Sequence, residues 1–200
     1  MNRFYSLTLL LLISLAWPGL TWPDQARPGQ AWPVRTPKPK AAAKINWLTM
    51  EQAYALNQKQ PKKFVVDVYT DWCGWCKVMD RETFSKPAIA DYVNRHFYPV
   101  KLNAEGTEDI KLGDRTYKSL GRTHELAVSL LNNQIGYPTT VFLDEEFNVI
   151  QPVAGYLEPR LFHQVVTYFG GNYNQKEPFE QFKTGTYVRE FQPAMPPAGN

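Results

Sequence analysis

The chain has 200 residues, 44% hydrophobic and 14% aromatic, with a formal charge of +3 and two cysteines. That is enough apolar material for one ordinary core, and two cysteines are too few for the disulfide framework of a small stapled domain. The charge is uneven: residues 1–44 carry six Lys and Arg against Asp24, whereas residues 45–200 carry sixteen against eighteen Asp and Glu, so the folded part is close to neutral and nucleic-acid binding through a basic domain face has no support.

The first sixteen residues, MNRFYSLTLLLLISLA, set Arg3 before an apolar run that ends in small residues at Ser14 and Ala16. This is the pattern of a secretory signal peptide, with an apolar part too short to span a bilayer comfortably. It predicts an exported protein, periplasmic or secreted, with an uncleaved membrane anchor as the alternative. No cysteine follows the run, which argues against a lipoprotein. Residues 17–44 carry prolines at 18, 23, 28, 33, 37 and 39. Proline fixes φ and removes a backbone donor, so this stretch reads as an extended Pro-rich linker; docking to an aromatic-lined groove is the second reading.

From residue 45 the pattern changes to alternating elements. Thr49 and Gln52 form a capping box that opens a helix through about residue 58. FVVDVY at 64–69 is an apolar strand. A helix is predicted from the cysteines to about Glu82, followed by one capped by Ser85, with Pro87 near its start and Ile89, Tyr92 and Val93 on one face. YPVKLN at 98–103 is a second strand. Residues 104–123 form a polar insertion, in which IKLGDRTYKSLG predicts a hairpin turning at Gly113-Asp114. Leu126, Ala127, Leu130 and Leu131 then mark a helical stripe.

TTVFL at 139–143 and VIQPVAG at 149–155, joined by DEEFN, predict an antiparallel hairpin, and Pro152 sends its second strand to a sheet edge. A helix over 158–169 stops at Gly170-Gly171. Strands interleaved with helices predict an α/β domain of three layers with a mixed sheet over 45–171. Residues 172–200 are expected to form a weakly structured tail with one docked turn.

Both cysteines lie in YTDWCGWCKVMD at 69–80. A bridge between them closes a loop of only four residues and stabilises little, so the pair reads as chemical rather than structural. A CxxC at a helix start puts Cys73 beside free backbone N–H groups and the positive end of the helix dipole, which favours thiolate over thiol. Cys73 is therefore the expected nucleophile, and Cys76, nearly one turn on, the resolving thiol. A fall in thiol pKa from about 8.5 to about 7 raises the thiolate fraction roughly fifteenfold but costs roughly fivefold in nucleophilicity. The larger consequences fall on leaving-group ability and redox poise.

Four stretches in order carry a family pattern. VVDVYTDWCGWCK (65–77) sets Asp67 six residues before Cys73 and Trp72 directly before it; VKLN (100–103) holds Lys101; IGYPTTVFL (135–143) holds Pro138 at a strand start; VAGY (153–156) holds Gly155. This set resembles the thioredoxin superfamily, and in particular its exported bacterial thioredoxin-like members. The resemblance implies a thioredoxin fold, a central mixed β-sheet flanked by helices, with an insertion and flexible N- and C-terminal extensions. It also implies thiol-disulfide oxidoreductase activity.

Within that resemblance Asp67 lies below the disulfide and accepts the Cys76 proton, Lys101 tunes Asp67, and a cis Pro138 holds the 135–137 backbone against the active site. Trp72, Gly74, Trp75, Tyr137, Pro138 and Gly155 shape the substrate contact. No cofactor is implied beyond the redox-active Cys73–Cys76 disulfide. The implied partners are protein disulfides or thiols and a membrane electron-transfer reductase, with the chain acting as a monomer. Gly74-Trp75 departs from the Gly-Pro of cytosolic thioredoxins and the Gly-His of protein disulfide isomerases. A neutral indole adds no cation beside Cys73, which favours a reductant over an oxidant.

Rival classes remain open on these residues: a binding or chaperone module with an inert CxxC, and an oxidant or isomerase of disulfides. A zinc site would need two histidines at ligand spacing, and His96, His124 and His163 read instead as surface or helix-face residues. A peroxidase can cite Thr70 three residues before Cys73, but Val66 stands where the accompanying upstream proline would be.

Overall fold

The computed structural model of the protein describes residues 44–191. The export signal expected at 1–16, all but the last residue of the linker expected at 17–44, and residues 192–200 lie outside the described residues.

Helix α1 (Met50–Asn57) opens on the predicted capping box: Thr49 Oγ1 accepts from the Gln52 N–H and Gln52 Oε1 accepts from the Thr49 N–H. Strand β1 (Lys63–Tyr69) follows, then α2 (Gly74–Met79), α3 (Pro87–His96) and β2 (Phe97–Asn103). The insertion forms the two-stranded ribbon β3 (Ile110–Leu112) and β4 (Arg115–Tyr117). It turns at Gly113, whose φ of +60° suits glycine and whose missing Cβ would lie 2.9 Å from the Tyr54 hydroxyl. Helix α4 (Glu125–Leu130), strands β5 (Thr139–Leu143) and β6 (Val149–Ala154), and helix α5 (Pro159–Gly170) complete the predicted set.

The four-stranded sheet has the order β2-β1-β5-β6. β1 runs parallel to β2 and antiparallel to β5, and β5 pairs antiparallel with β6. The sheet is thus mixed, and β6, with Pro152, takes the expected edge. β1 is central and buried, so its side chains alternate between two cores. Phe64, Val66 and Val68 pack with residues of α1 and α4, while Val65 packs with residues of α2, α3 and α5. By the same alternation Asp67 falls on the α2, α3 and α5 side.

Three expectations are corrected. The helix that starts at the cysteines does not stay α-helical to Glu82; it widens into a π turn over Asp80–Phe84. Ser85 does not cap α3, because its hydroxyl donates back to the Arg81 carbonyl at 2.6 Å, and Lys86 takes the N-cap position ahead of Pro87.

The second correction concerns the tail. Residues 173–191 are ordered into a short 3₁₀ turn, α6 (Phe179–Gln181), a π turn and α7 (Tyr187–Phe191). Phe182 and Tyr187 are fully buried in the core beside α5. Each such aromatic contributes about 1.5–3 kcal/mol of apolar burial, which offsets part of the entropy of ordering the segment.

The third concerns His124, which is neither on the surface nor on a helix face but buried at the N-cap of α4; His163 is on a helix face, that of α5, and is buried there. His163 Nδ1 lies 2.9 Å from the Tyr187 hydroxyl, and burial lowers its pKa to about 4. His124 caps α4, its Nδ1 accepting from the Leu126 N–H while Nε2 meets the Glu108 carbonyl. It thereby fastens the insertion at its base.

Candidate active site

The end of β1 delivers the cysteines to the start of α2. The Cys73 N–H donates to the Thr70 carbonyl at 3.1 Å, closing a tight turn, and Cys73 becomes the N-cap of α2 in an extended conformation, with φ −69° and ψ 105°. Its Sγ accepts from the Cys76 N–H at 3.1 Å, so the sulfur sits where a capping oxygen normally would, facing the free donors of the first turn. Cys73 and Cys76 are joined in a disulfide with Cα atoms 5.4 Å apart. Both are buried in this state, at 4% and 3% exposure.

Register in the sheet builds the second part of the site. Asp67 pairs with Lys101 across β1 and β2, and Lys101 Nζ lies 2.7 Å from Asp67 Oδ2. The same ammonium lies 2.5 Å from Asp80 Oδ1. Asp80 is one helical turn after Cys76 and its N–H donates to the Cys76 carbonyl, which brings the charged group alongside the Cys76 turn. Aromatic rings of Trp47, Tyr69 and Phe84 stand 5.0–5.3 Å from Nζ and confine it.

Asp67 is 1% exposed, and burial holds its carboxyl above the ordinary carboxylate range, against the opposing pull of Lys101. Burial on its own would lower Lys101, but the Asp67 and Asp80 carboxylates outweigh it and hold the ammonium above its usual value. The pair is therefore a cation gripped by two carboxylates of unequal exposure, 2% at the Asp67 side chain and 48% at Asp80. Asp67 Oδ1 has no hydrogen-bond partner among the described residues.

The third part is an exposed aromatic rim. Trp72 and Trp75 are 67% and 61% exposed. Trp72 is not loose: its Nε1–H donates to Glu105 Oε2 at 2.9 Å and its ring stands edge-on to Tyr137. Trp75 leans on Tyr156, centroids 5.4 Å apart. Trp75, Tyr137, Pro138, Gly155 and Tyr156 line an open groove of about 300 Å³. The Tyr137–Pro138 peptide is cis, and the Pro138 carbonyl accepts from the Gly155 N–H at 2.8 Å. Gly155 has φ +93°, a backbone region that other residues rarely adopt.

The residues singled out in the sequence thus fall into two groups. Cys73, Cys76, Trp72, Gly74 and Trp75 lie on one turn with Tyr137, Pro138 and Gly155 around it, and Asp67 and Lys101 form the buried pair. Asp80, Glu105 and Tyr156 were missed. Asp80 carried a signal, since it is four residues after Cys76 on a predicted helix; Glu105 and Tyr156 reach the site only through tertiary packing. The histidines do not join the site. Among the described residues no group of three or more His, Cys, Asp or Glu is placed to hold a metal ion, and no helix is long and apolar enough to cross a membrane.

Comparison with known proteins agrees with this geometry. The chain is 28% identical over 106 residues to the thiol:disulfide interchange protein DsbD of Pectobacterium atrosepticum, covering 52% of this chain and 16% of the relative. It is 31% identical over 134 residues to the DsbD of Haemophilus ducreyi, covering 67% of this chain and 20% of the relative. The chain thus spans a fifth or less of the length of these two relatives. A thioredoxin from Thermus thermophilus shares the fold at a TM-score of 0.50 and 17% identity, over 65% of this chain and 92% of that one. A family model, Thioredox_DsbH, described as a protein of unknown function, DUF255, matches residues 38–178. With that match over more than half its length, on a thioredoxin fold carrying a Cys-x-x-Cys pair, the chain belongs to the Thioredox_DsbH family within the thioredoxin superfamily.

Proposed function

We propose that the protein is a thiol-disulfide oxidoreductase that reduces disulfides of exported proteins. The observation that carries this reading is the Cys73–Cys76 disulfide at the α2 N-cap, flanked by the Asp67–Lys101–Asp80 group. In the dithiol state the Cys73 thiolate attacks one sulfur of a partner cystine, and the partner's other sulfur leaves as a thiolate. Asp67 takes the proton of Cys76. The Cys76 thiolate then attacks Cys73 Sγ, releasing the second partner sulfur and forming the Cys73–Cys76 disulfide. Two electrons have passed to the partner.

Charge supports the reductive direction. With both carboxylates ionised, Asp67, Lys101 and Asp80 sum to −1 beside the cysteine turn, and Trp75 contributes no cation. A negative surrounding disfavours a thiolate, so it disfavours accumulation of the reduced form and makes the dithiol the better electron donor. Return to the dithiol requires a reductant; a membrane electron-transfer reductase in that role and a periplasmic site of action belong to the same proposal, and the thiol:disulfide interchange named for the relatives supports exchange with protein thiols or disulfides. The apolar rim suits extended protein segments as substrates, with the chain working as a monomer and with no cofactor other than its own disulfide.

Reduction of insulin disulfides tests this directly. Turnover by the wild-type protein and its loss, by roughly 10³-fold or more, in Cys73→Ser is the expected result. Equal turnover in both, or none in either, would favour a binding module with an inert cysteine pair.

A further inference from the structure

Sheet register places a third residue in the row that holds Lys101 and Asp67. Thr140 of β5 lies directly opposite Asp67 across the antiparallel β1–β5 pair. Directly opposed residues point to the same face with Cβ atoms about 4.5–5.5 Å apart, a spacing at which a threonine hydroxyl reaches a carboxylate by side-chain rotation. In the disulfide state the two do not bond. Asp67 Oδ1 and Thr140 Oγ1 each lack a hydrogen-bond partner among the described residues, although the residues are 1% and 0% exposed.

Buried polar groups are nearly always paired, and leaving one unpaired costs about 1–3 kcal/mol. Here a potential donor and a potential acceptor sit unpaired on directly opposed residues, on one face of the sheet. The neighbouring Thr139 provides the contrast: its hydroxyl, on the other face, donates to the Gly136 carbonyl at 2.8 Å. A valine at 140 would satisfy the packing of a buried strand without this cost, so the hydroxyl calls for a role in another state of the site.

We propose that Thr140 is a positioning residue for Asp67: its hydroxyl donates a hydrogen bond to the Asp67 carboxylate when that group ionises, and holds it as the proton acceptor for Cys76. The hydroxyl serves only the ionised form strongly, because a charged acceptor makes the stronger bond. The proton balance is simple. Cys76 passes its proton to Asp67, the carboxylate becomes a neutral acid, and the Thr140 bond weakens as the Cys76 thiolate forms. The other charged groups around Asp67 are Lys101 from β2 and Asp80 from the π turn; β5 presents Thr140 alone in the row.

The link to Cys76 rests on the proposed exchange reaction, whereas the hydrogen bond concerns Asp67 by itself. Carboxyl carbon NMR titration of Asp67, in the dithiol and disulfide forms of the full chain, separates the two. Thr140→Val, nearly isosteric, is expected to move the Asp67 titration upward by about one pH unit in the dithiol form, because a donor to the charged form is lost. Thr140→Ser is expected to restore it to within a few tenths of a unit. The pH profile of resolution of a mixed disulfide at Cys73 should move with the titration. An Asp67 titration unmoved in Thr140→Val, with a raised thermal midpoint from loss of an unpaired hydroxyl, would overturn the proposal, as would failure of Thr140→Ser to restore the wild-type value. If no variant, wild type included, resolves a mixed disulfide, the oxidoreductase reading fails while the titration still decides the role of Thr140.

Discussion

The two surroundings of the cysteine turn are opposites. Outside it stands a rim of large aromatic side chains, with Trp72 and Trp75 more than half exposed and Tyr137, Pro138, Gly155 and Tyr156 beside them. Beneath it lies a row of polar side chains inside the sheet: Lys101, Asp67 and Thr140. Each arrangement is unfavourable for stability alone, since exposed indoles forgo burial and a buried carboxylate bears a desolvation cost. On the proposed reading, the rim offers apolar contact to a partner, and the row controls a proton. On that same reading, the rim determines which disulfide is met and the row how fast exchange completes.

The largest expected effect tests the row. Asp67→Asn keeps the shape and removes the proton acceptor, so resolution by Cys76 should slow by about 10²-fold while attack by Cys73 changes little. Stopped-flow kinetics of mixed-disulfide formation and decay would measure both steps. The same variant has a pH signature. Burial holds Asp67 above its ordinary value, so in the window between the unfolded and folded pKa values the native state keeps a proton that the unfolded chain has lost. The unfolded chain binds fewer protons there, and stability falls as pH rises through that window, then levels off. Chemical denaturation from acid to neutral pH should show this slope in the wild type and its absence in Asp67→Asn. Unchanged resolution would remove Asp67 from the chemistry and reduce the row to a structural ion pair.

Lys101→Met comes next. It removes the cation that Asp67 and Asp80 share, so Asp67 is driven further toward its neutral form. The pH profile of resolution should move upward by roughly one unit, and the rate at neutral pH should drop by roughly tenfold. An unmoved profile would mean that solvent already compensates for the lost ammonium, since Asp80 pushes Asp67 in the same direction as its loss.

Much of this site is visible in the amino-acid order, for reasons that differ by region. The cysteine pair stands out because only two thiols exist, and Asp67 because a carboxylate interrupts an apolar strand. The capping box at Thr49, the turn at Gly113 and the edge position of Pro152 are local signals that carried over intact, whereas the Ser85 cap gave way to a hydroxyl bond back to Arg81. Thr140 and Glu105 have no such signal, since their meaning depends on which strand lies beside which. Residues 173–191 failed for a related reason. Phe179, Phe182, Tyr187 and Phe191 follow no helical or strand period long enough to predict an element, with Pro178 and Gly185 among them. They fold because α5 offers a surface with His163 at its centre, information that lies outside the segment itself.

On the rim the expected effects are smaller and fall on binding. Trp75→Ala removes an exposed ring that leans on Tyr156 and lines the groove. KM for a protein disulfide should rise about five- to tenfold, with kcat nearly unchanged, as expected for truncation of an aromatic anchor worth about 1–1.5 kcal/mol. A small disulfide that does not fill the groove should be unaffected. A fall in kcat with constant KM would place Trp75 in the chemistry and erase the division between rim and row.

The smallest effect distinguishes a fixed rim from an adaptable one. Glu105 accepts from the Trp72 indole at 2.9 Å, and its own N–H donates to Asn103 Oδ1, which ties the ring to the end of β2. An exposed hydrogen bond of this kind contributes about 0.5–1.5 kcal/mol at most. Glu105→Ala should therefore raise KM for a protein disulfide only two- to threefold, while the Trp72 indole N–H resonance loses its hydrogen-bonded shift and fluorescence quenching of that ring increases. Glu105→Gln, which keeps an acceptor, should restore both. If KM stays constant while the ring is demonstrably freed, the partner itself organises Trp72 on arrival, and the rim works by induced fit while the row beneath it remains preset.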